Sequence, residues 1–161
     1  MPPLSILLKP ASSGCNLRCA YCFYADEASI RAVPNYGLMS GKVSHTLIEK
    51  AAEAAEGSVT FLFQGGEPTL AGLDFFRDFV SHTERTAPRE LSVRYAIQTN
   101  GTLLDGDWCD FFREKGFLVG LSLDGTRACH DRFRRDGAGG GTYDRVLRAA
   151  RQLEGAGVEY N

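Results

Sequence analysis

Three cysteines, Cys15, Cys19 and Cys22, lie within eight residues near the start of the chain. Thiolates bind soft metals, so the spacing C-x3-C-x2-C indicates a metal centre. A structural zinc site needs four ligands, commonly as two close pairs, and the sequence has no second pair. Iron–sulfur proteins group cysteines in spacings of this kind, although a ferredoxin uses a fourth cysteine for each cluster. The pattern favours an iron–sulfur cluster with one iron left open, with zinc binding and inert packing as the alternatives.

An open position on the metal would make such a centre reactive. A closed ligand set serves structure or electron transfer, whereas a vacant position can take a substrate. The other cysteines, Cys109 and Cys129, lie far downstream on different predicted elements. Cys129 is followed by His130, but adjacent residues on a turn seldom point at each other, so we predict no nucleophilic pair. We expect both outlying cysteines to serve packing.

The elements that must position this loop alternate between short apolar runs and helical patterns. That alternation is typical of an α/β fold with a parallel sheet. The strands are predicted at residues 4–9, 59–64, 91–99 and 117–124, and a fifth begins at Val158. Apolar stripes predict four helices. The first stripe consists of Val43, Leu47, Ala51 and Ala55, and the second of Leu73, Phe76, Phe79, Val80 and Thr83. The third helix runs from a cap at Asp105 to Gly116, and the fourth runs from a cap at Thr142 through Val146, Leu147, Ala150 and Leu153 to Gly155.

Each predicted strand ends in polar or charged residues. They are Lys9, Gln64, residues 98–100, Ser122 and Asp124. Active sites of parallel α/β proteins are built at the C-terminal ends of the strands. We therefore expect these side chains and the cysteine loop to lie together at the C-terminal edge of the sheet.

The composition narrows the classes of function. The chain has 161 residues, is 43% hydrophobic and 24% charged, and carries a net charge of −2, which suits one globular domain and disfavours nucleic-acid binding. No apolar stretch reaches the ~18 residues of a membrane span, and the first residues lack the pattern of a signal peptide. Five cysteines, an odd number, argue against a disulfide framework. A cytoplasmic protein that binds neither membranes nor nucleic acids is expected.

The cysteine loop resembles the hallmark C-x3-C-x-aromatic-C of radical S-adenosylmethionine enzymes, with Tyr21 as the aromatic residue. Those enzymes hold a [4Fe-4S] cluster with three cysteines and let the methionyl group of S-adenosylmethionine fill the open iron. Gly65, Gly66 and Glu67, followed by a proline, resemble the family motif for the methionyl amino group. Glycine at this place would let the backbone approach a ligand closely.

The same resemblance implies three further cofactor contacts. Ser122 is similar to a family position that contacts the cofactor, and Tyr21 is the aromatic residue expected beside the adenine. Arg134 is similar to the position that pairs with the cofactor carboxylate, a task that suits a planar guanidinium. Without the resemblance, Arg134 would also be consistent with a solvated basic face, because Arg132 and Arg135 flank it.

Within this superfamily the sequence is similar to the anaerobic sulfatase-maturating enzymes, through residues 8–15, 22–24, 63–72, 98–101 and 120–125. The resemblance implies a partial six-stranded (β/α) barrel, of which this chain is the N-terminal part. It implies that a 5′-deoxyadenosyl radical abstracts hydrogen from a Cys or Ser of a sulfatase, which is oxidised to Cα-formylglycine. Tyr24 and Gln64 fall on positions near the substrate peptide. A ferredoxin or flavodoxin would be the electron donor.

Two other functions stay open at this point. One is a different peptide modification by a radical enzyme of the same kind, such as thioether formation, and the other is a fragment that binds a cluster without catalysis. The family's later barrel strands, its catalytic general base and its auxiliary-cluster region have no counterpart up to Asn161. Residues 1–161 are therefore expected to be a radical S-adenosylmethionine core domain that is cut short after the start of the fifth strand, and to fold weakly in isolation.

Overall fold

A computed structural model describes residues 3–161 as strands and helices in alternation. The strands are β1 (Leu4–Leu8), β2 (Ser58–Phe63), β3 (Ser92–Thr99) and β4 (Phe117–Leu121). The helices are α1 (Phe23–Ser29), α2 (Gly41–Ala54), α3 (Leu73–Thr86), α4 (Gly106–Lys115), α5 (Arg127–Phe133) and α6 (Tyr143–Ala156), and a 3-10 turn covers Pro68–Ala71.

The strands form one four-stranded parallel sheet in the order β1-β2-β3-β4. Leu8 of β1 pairs with Phe63 of β2, and Phe63 pairs with Ile97 of β3. The predicted α/β class with parallel strands is confirmed. Because the strands run in register and in one direction, the loops that follow them leave the same edge of the sheet.

The predicted fifth strand begins to pair beside β4. Tyr160 forms a parallel bridge with Val119, and the amide of Asn161 donates to the carbonyl of Val119 at 3.0 Å. Val158 is buried against the core. These contacts extend the parallel order of the sheet past β4.

Aromatic side chains fill the core between the sheet and its helices. Phe63 is fully buried, with its ring centroid 4.9 Å from that of Phe76 and 5.0 Å from that of Phe79. The side chains that alternate with this face are more open, and Leu7 is 49% exposed. None of the helices in residues 3–161 is long and apolar enough to cross a membrane.

The structure confirms the ends predicted for α4 and corrects the apolar stripe predicted for α2. Helix α4 has the expected ends, because Asp105 Oδ1 accepts from the Trp108 amide at 3.1 Å and Gly116 adopts a left-handed conformation. The stripe predicted for α2 is wrong at Val43, which is 54% exposed, and Ser44 and Ile48 are buried instead. The Ser44 hydroxyl donates to the Gly41 carbonyl, so its burial leaves no unpaired polar group.

Helix α6 also departs from expectation at both ends. It continues through Gly155 and stops at Gly157, which has a φ of 72°. The Thr142 side chain makes no capping bond, although Thr142 occupies the cap position. The carboxylate of Asp131 accepts from the amides of Thr142 and Tyr143, at 2.8 and 2.9 Å, and so fixes the start of the helix.

Candidate functional site

A cavity of about 250 Å³ opens at the C-terminal edge of the sheet. The loops after all four strands contribute to its wall, as expected for a parallel α/β protein. It brings together every cofactor, metal and substrate residue predicted from the sequence, namely Cys15, Cys19, Tyr21, Cys22, Tyr24, Gln64, Gly65, Gly66, Glu67, Ser122 and Arg134. Gln98 and Asn100, two of the polar strand ends, also line it.

The cysteine loop between β1 and α1 forms one wall of the cavity. All three thiols are free and half-buried, and Cys22 is the residue before the first turn of α1. The loop is braced locally, since the Cys22 amide donates to the Cys19 carbonyl at 3.1 Å and the Leu17 amide donates to Cys15 Sγ at 3.3 Å. A second cavity of about 280 Å³ also borders these three cysteines. In residues 3–161, no three His, Cys, Asp or Glu side chains converge on one point that a single metal ion could occupy.

Burial controls the protonation of two of these thiols. It raises the pKa of Cys15, and the hydrogen bond from the Leu17 amide opposes the shift in part. It also raises the pKa of Cys19, against the charge of Arg134. Both thiols are therefore protonated at neutral pH in the absence of metal, and a metal centre must displace those protons.

The turn after β2 lies directly against the cysteine loop. Gly66 has a φ of 56°, and a Cβ atom built on it would lie 2.2 Å from the Gly14 carbonyl oxygen. The amide of Glu67 donates to that same oxygen at 2.8 Å. Only glycine allows both this conformation and this approach, which explains the glycine at position 66 in physical terms.

The Glu67 carboxylate is buried within the wall of the cavity. Its Oε1 accepts from the Thr69 amide at 3.0 Å, and from the hydroxyls of Thr69 and Thr99 at 2.7 Å each. Its Oε2 accepts from the Asn100 amide at 2.7 Å. These bonds join the turn after β2 to the end of β3.

Two asparagines connect the end of β3 with the cysteine loop. Asn100 Nδ2 donates to Asn16 Oδ1, and Asn16 Nδ2 donates to Thr102 Oγ1, both at 2.9 Å. Asn100 Nδ2 also lies 3.8 Å from Cys15 Sγ. Asn16 and Thr102 were not predicted as site residues, and only the polar run at the end of β3 pointed towards them.

Arg134 enters the cavity from the end of α5 as part of a charged group. Its side chain is only 16% exposed, and its Nε lies 3.0 Å from Asp124 Oδ2. Arg132 and Arg135 are exposed, so a solvated basic face describes the flanking residues and not Arg134. Ser122 is held nearby, where its hydroxyl accepts from Gln98 Nε2 at 3.1 Å.

Tyr21 completes this group, because its hydroxyl donates to Asp124 Oδ2. Burial opposes ionisation of Asp124, but the bond from Tyr21 and the guanidinium of Arg134 hold the pKa of Asp124 below its ordinary value. Burial and the same bond raise the pKa of Tyr21. Asp124 is therefore ionised at neutral pH, and it balances one positive charge beside the cavity.

Tyr24 lies in the first turn of α1 with its ring under a lysine. The Lys9 ammonium is 4.7 Å from the ring centroid. The stem of Lys9 fills the space beside Gly65, where a Cβ atom would lie 2.7 Å from Lys9 Cγ. Lys9, the polar residue that follows β1, thus packs against the part of the cavity wall that contains Tyr24 and Gln64.

The outlying cysteines lie away from this cavity. Cys109 is buried in α4, as predicted, but Cys129 is exposed, so the packing role expected for Cys129 is wrong. Cys129 lies on the solvent side of α5, which turns its neighbour His130 inwards. The ring nitrogens of His130 contact Asp124 and Thr142, and no Cys129–His130 pair forms among the described residues.

The chain is similar in sequence to known proteins along nearly its whole length. The family model of the Radical SAM superfamily matches residues 10–161. A cysteine-type anaerobic sulfatase-maturating enzyme of Clostridium novyi is 46% identical over 161 residues, which are 100% of this chain and 43% of the relative. A serine-type anaerobic sulfatase-maturating enzyme of Klebsiella aerogenes is 38% identical over 160 residues, which are 99% of this chain and 39% of the relative.

A solved structure extends the likeness to the fold. Native anSMEcpe with bound AdoMet and Cp18Cys peptide superposes with a TM-score of 0.92 at 44% identity, over 99% of this chain and 42% of that one. AdoMet is S-adenosylmethionine. The four parallel strands and outer helices thus match part of that radical SAM barrel, and this chain spans less than half the length of each of these proteins. The chain belongs to the radical SAM superfamily.

Proposed function

We propose that this chain carries the cofactor site of an anaerobic sulfatase-maturating enzyme, which oxidises a Cys or Ser of a sulfatase to Cα-formylglycine. One observation supports this most: the cysteine loop, the Gly65–Gly66 turn and Arg134 line a single cavity at the C-terminal edge of the sheet. Relatives of both the cysteine type and the serine type align over nearly the whole chain.

The residues present fit a [4Fe-4S] cluster held by Cys15, Cys19 and Cys22. The three free thiols belong to residues that line two cavities, and thiolates are the ligands that iron–sulfur clusters use. The absence of a side chain at Gly66 keeps the neighbouring wall close to this loop. When bound, the cluster and S-adenosylmethionine supply a one-electron cleavage that yields a hydrogen-abstracting radical.

The residues around the cysteine loop fit S-adenosylmethionine. Arg134 and Ser122 would bind its carboxylate, and in support Arg134 is a half-buried cation whose Nε lies 3.0 Å from Asp124 Oδ2. The Gly65–Gly66 backbone would bind its amino group, and Tyr21 would lie beside the adenine. Glu67 braces this turn through its side chain.

Tyr24 and Gln64 would position the substrate peptide, because both line the same cavity beside Cys22. Hydrogen-atom transfer needs near contact, so the walls must hold the peptide and exclude competing donors. An electron donor such as a ferredoxin or flavodoxin would supply the reducing equivalent.

Anaerobic reconstitution tests this function. The protein is loaded with iron and sulfide, reduced, and incubated with S-adenosylmethionine and a sulfatase peptide containing Cys-x-Pro-x-Arg or its Ser counterpart. Mass spectrometry should show formylglycine, and chromatography should show 5′-deoxyadenosine. An unmodified peptide with 5′-deoxyadenosine still formed would indicate another peptide modification. Absence of 5′-deoxyadenosine would indicate cluster binding without catalysis.

Matched cysteine variants serve as the control. Cys19→Ala should lose bound iron and 5′-deoxyadenosine formation, while Cys129→Ala should keep both, because Cys129 is exposed and lies away from the cavity. Equal iron content in the two variants would contradict the assignment of the cluster to the cysteine loop.

A further inference from the structure

His130 is a fully buried histidine that lies behind the cavity and not in its wall. It belongs to α5, and its ring lies between the loop after β4 and the start of α6. Its Nδ1 is 3.3 Å from the Asp124 amide, and its Nε2 is 2.9 Å from Thr142 Oγ1. The two residues that it contacts are therefore each one bond away from Arg134.

The directions of these bonds follow from the chemistry of the groups. The Thr142 hydroxyl has one proton, which it donates to the Arg134 carbonyl at 2.9 Å. It must therefore accept from His130, which carries its proton on Nε2. Nδ1 is then a free acceptor for the Asp124 amide. Each donor has one acceptor, and a single neutral tautomer of His130 satisfies all the bonds.

The bonds close into a ring through Arg134. They run from Asp124 to His130, from His130 to Thr142, and from Thr142 to the Arg134 carbonyl. The ion pair between Arg134 Nε and Asp124 Oδ2, at 3.0 Å, closes the ring. Both the backbone and the guanidinium of Arg134 are thus held by the same set of residues.

The Thr142 hydroxyl belongs to this ring and not to its own helix. It makes no capping bond to α6, although a threonine before a helix often makes one. The Thr142 backbone is held separately, since Asp131 Oδ1 accepts from the Thr142 and Tyr143 amides. Gly141 permits the approach of Asp131, since a Cβ atom on it would lie 2.5 Å from Asp131 Cγ.

We propose that His130 and Thr142 are positioning residues that orient Arg134 towards the carboxylate of S-adenosylmethionine. This inference rests on the proposed function, which takes Arg134 as the partner of that carboxylate. A long arginine side chain loses much freedom when it binds a ligand, and an arginine already held in its binding orientation loses less. Neither His130 nor Thr142 lines the cavity, so both act through Arg134.

Thr142→Val and Thr142→Ser form the matched test pair. Valine keeps the shape but removes the hydroxyl, so His130 Nε2 and the Arg134 carbonyl lose their partner, whereas serine keeps it. Equilibrium binding is measured on cluster-loaded protein with S-adenosylmethionine, and with 5′-methylthioadenosine, which lacks the amino-acid portion. We expect Thr142→Val to raise the Kd for S-adenosylmethionine about tenfold, and Thr142→Ser to stay within about twofold of the unmodified protein. The Kd for 5′-methylthioadenosine should not change.

A double-variant cycle separates positioning from a general loss of structure. In an Arg134→Ala background, Thr142→Val should weaken S-adenosylmethionine binding no further, because its effect passes through the missing guanidinium. His130→Gln, which can donate and accept at similar places, should rescue binding relative to His130→Leu. Circular dichroism and thermal melting show whether Thr142→Val is folded. If it is not, the His130→Gln and His130→Leu variants test the proposal in its place.

The outcomes distinguish two failures. If Arg134→Ala leaves the Kd for S-adenosylmethionine unchanged, the carboxylate assignment in the proposed function is wrong, and the inference is overturned with it. If Arg134→Ala weakens binding but Thr142→Val and His130→Leu do not, only the inference is overturned. Equal weakening of both ligands by Thr142→Val would also overturn it, because that result indicates a structural role alone.

Discussion

Glu67 Oε2 accepts a hydrogen bond from the Asn100 amide at 2.7 Å, which joins the turn after β2 to the end of β3. The other oxygen of Glu67 accepts from Thr69 and Thr99. The carboxylate in the Gly-Gly-Glu-Pro motif is thus a brace between two neighbouring loops. Its place in the motif has a structural cause in addition to any contact with a ligand.

Glu67→Gln should therefore lower the free energy of unfolding by about 3 kcal/mol, because an amide group would face N–H and O–H donors that now share a carboxylate. Urea denaturation followed by circular dichroism measures the loss. Glu53→Gln, on an exposed position of α2, is the control and should change stability by less than about 0.5 kcal/mol. Similar stabilities for the two variants would refute the bracing role of Glu67.

Gly66→Ala should disrupt the contact between the turn after β2 and the cysteine loop. Its Cβ atom would lie 2.2 Å from the Gly14 carbonyl oxygen, so the cysteine loop must move and iron content after reconstitution should fall severalfold. Gly57→Ala is a matched control, because Gly57 also has a positive φ but has open space at its Cβ position. It should show only the backbone strain, about 1 kcal/mol of stability, with normal iron content. The prediction fails if iron content drops equally in both variants.

Stability should decrease as the pH falls below about 6.5, the ordinary pKa of histidine. Burial and then the charge of Arg134 lower the pKa of His130, against the opposing carboxylates of Asp124 and Asp131. The unfolded chain therefore binds a proton at a pH where the folded chain does not, and protons favour unfolding. The stability is present above about pH 6.5 and is lost as the pH falls towards the lowered pKa of the folded state.

Urea denaturation at a series of pH values measures this slope. In His130→Gln the part of the slope below about pH 6.5 should flatten, because glutamine does not titrate. Identical slopes in the two proteins would show that His130 does not contribute.

Lys9→Met should weaken the binding of the substrate peptide. Methionine keeps an unbranched stem against Gly65 but removes the charge 4.7 Å from the Tyr24 ring, a contact that contributes about 0.5–2 kcal/mol. The KM for the peptide should rise about two- to thirtyfold, while the Kd for S-adenosylmethionine stays the same. Lys50→Met, on the exposed face of α2, should leave both constants unchanged. Weaker S-adenosylmethionine binding in Lys9→Met would show that Lys9 acts on the cofactor site instead.

The features that could be predicted depend on residues that are close together in the sequence. Cys15, Cys19 and Cys22 are close in the sequence, so their chemistry could be recognised without a fold, and the apolar runs predicted the parallel strands. The polar residues at the strand ends could be assigned to one edge of the sheet because parallel strands place their C-terminal ends together. The short helices α1 and α5 were not predicted, since α1 buries no residue and α5 buries only His130. Neither helix carries an apolar stripe.

The sequence by itself determined the family and the alternation of the four strands with the longer helices, and it predicted Cys15, Cys19 and Cys22 as cluster ligands, because each is encoded in residue types at short separations. Only the tertiary structure decided that Glu67 bonds to Asn100, and that Thr142 bonds to Arg134 instead of capping its own helix. Those pairings depend on distances between segments that are far apart in the chain. A carboxylate or hydroxyl has several possible partners, and the folded backbone selects among them.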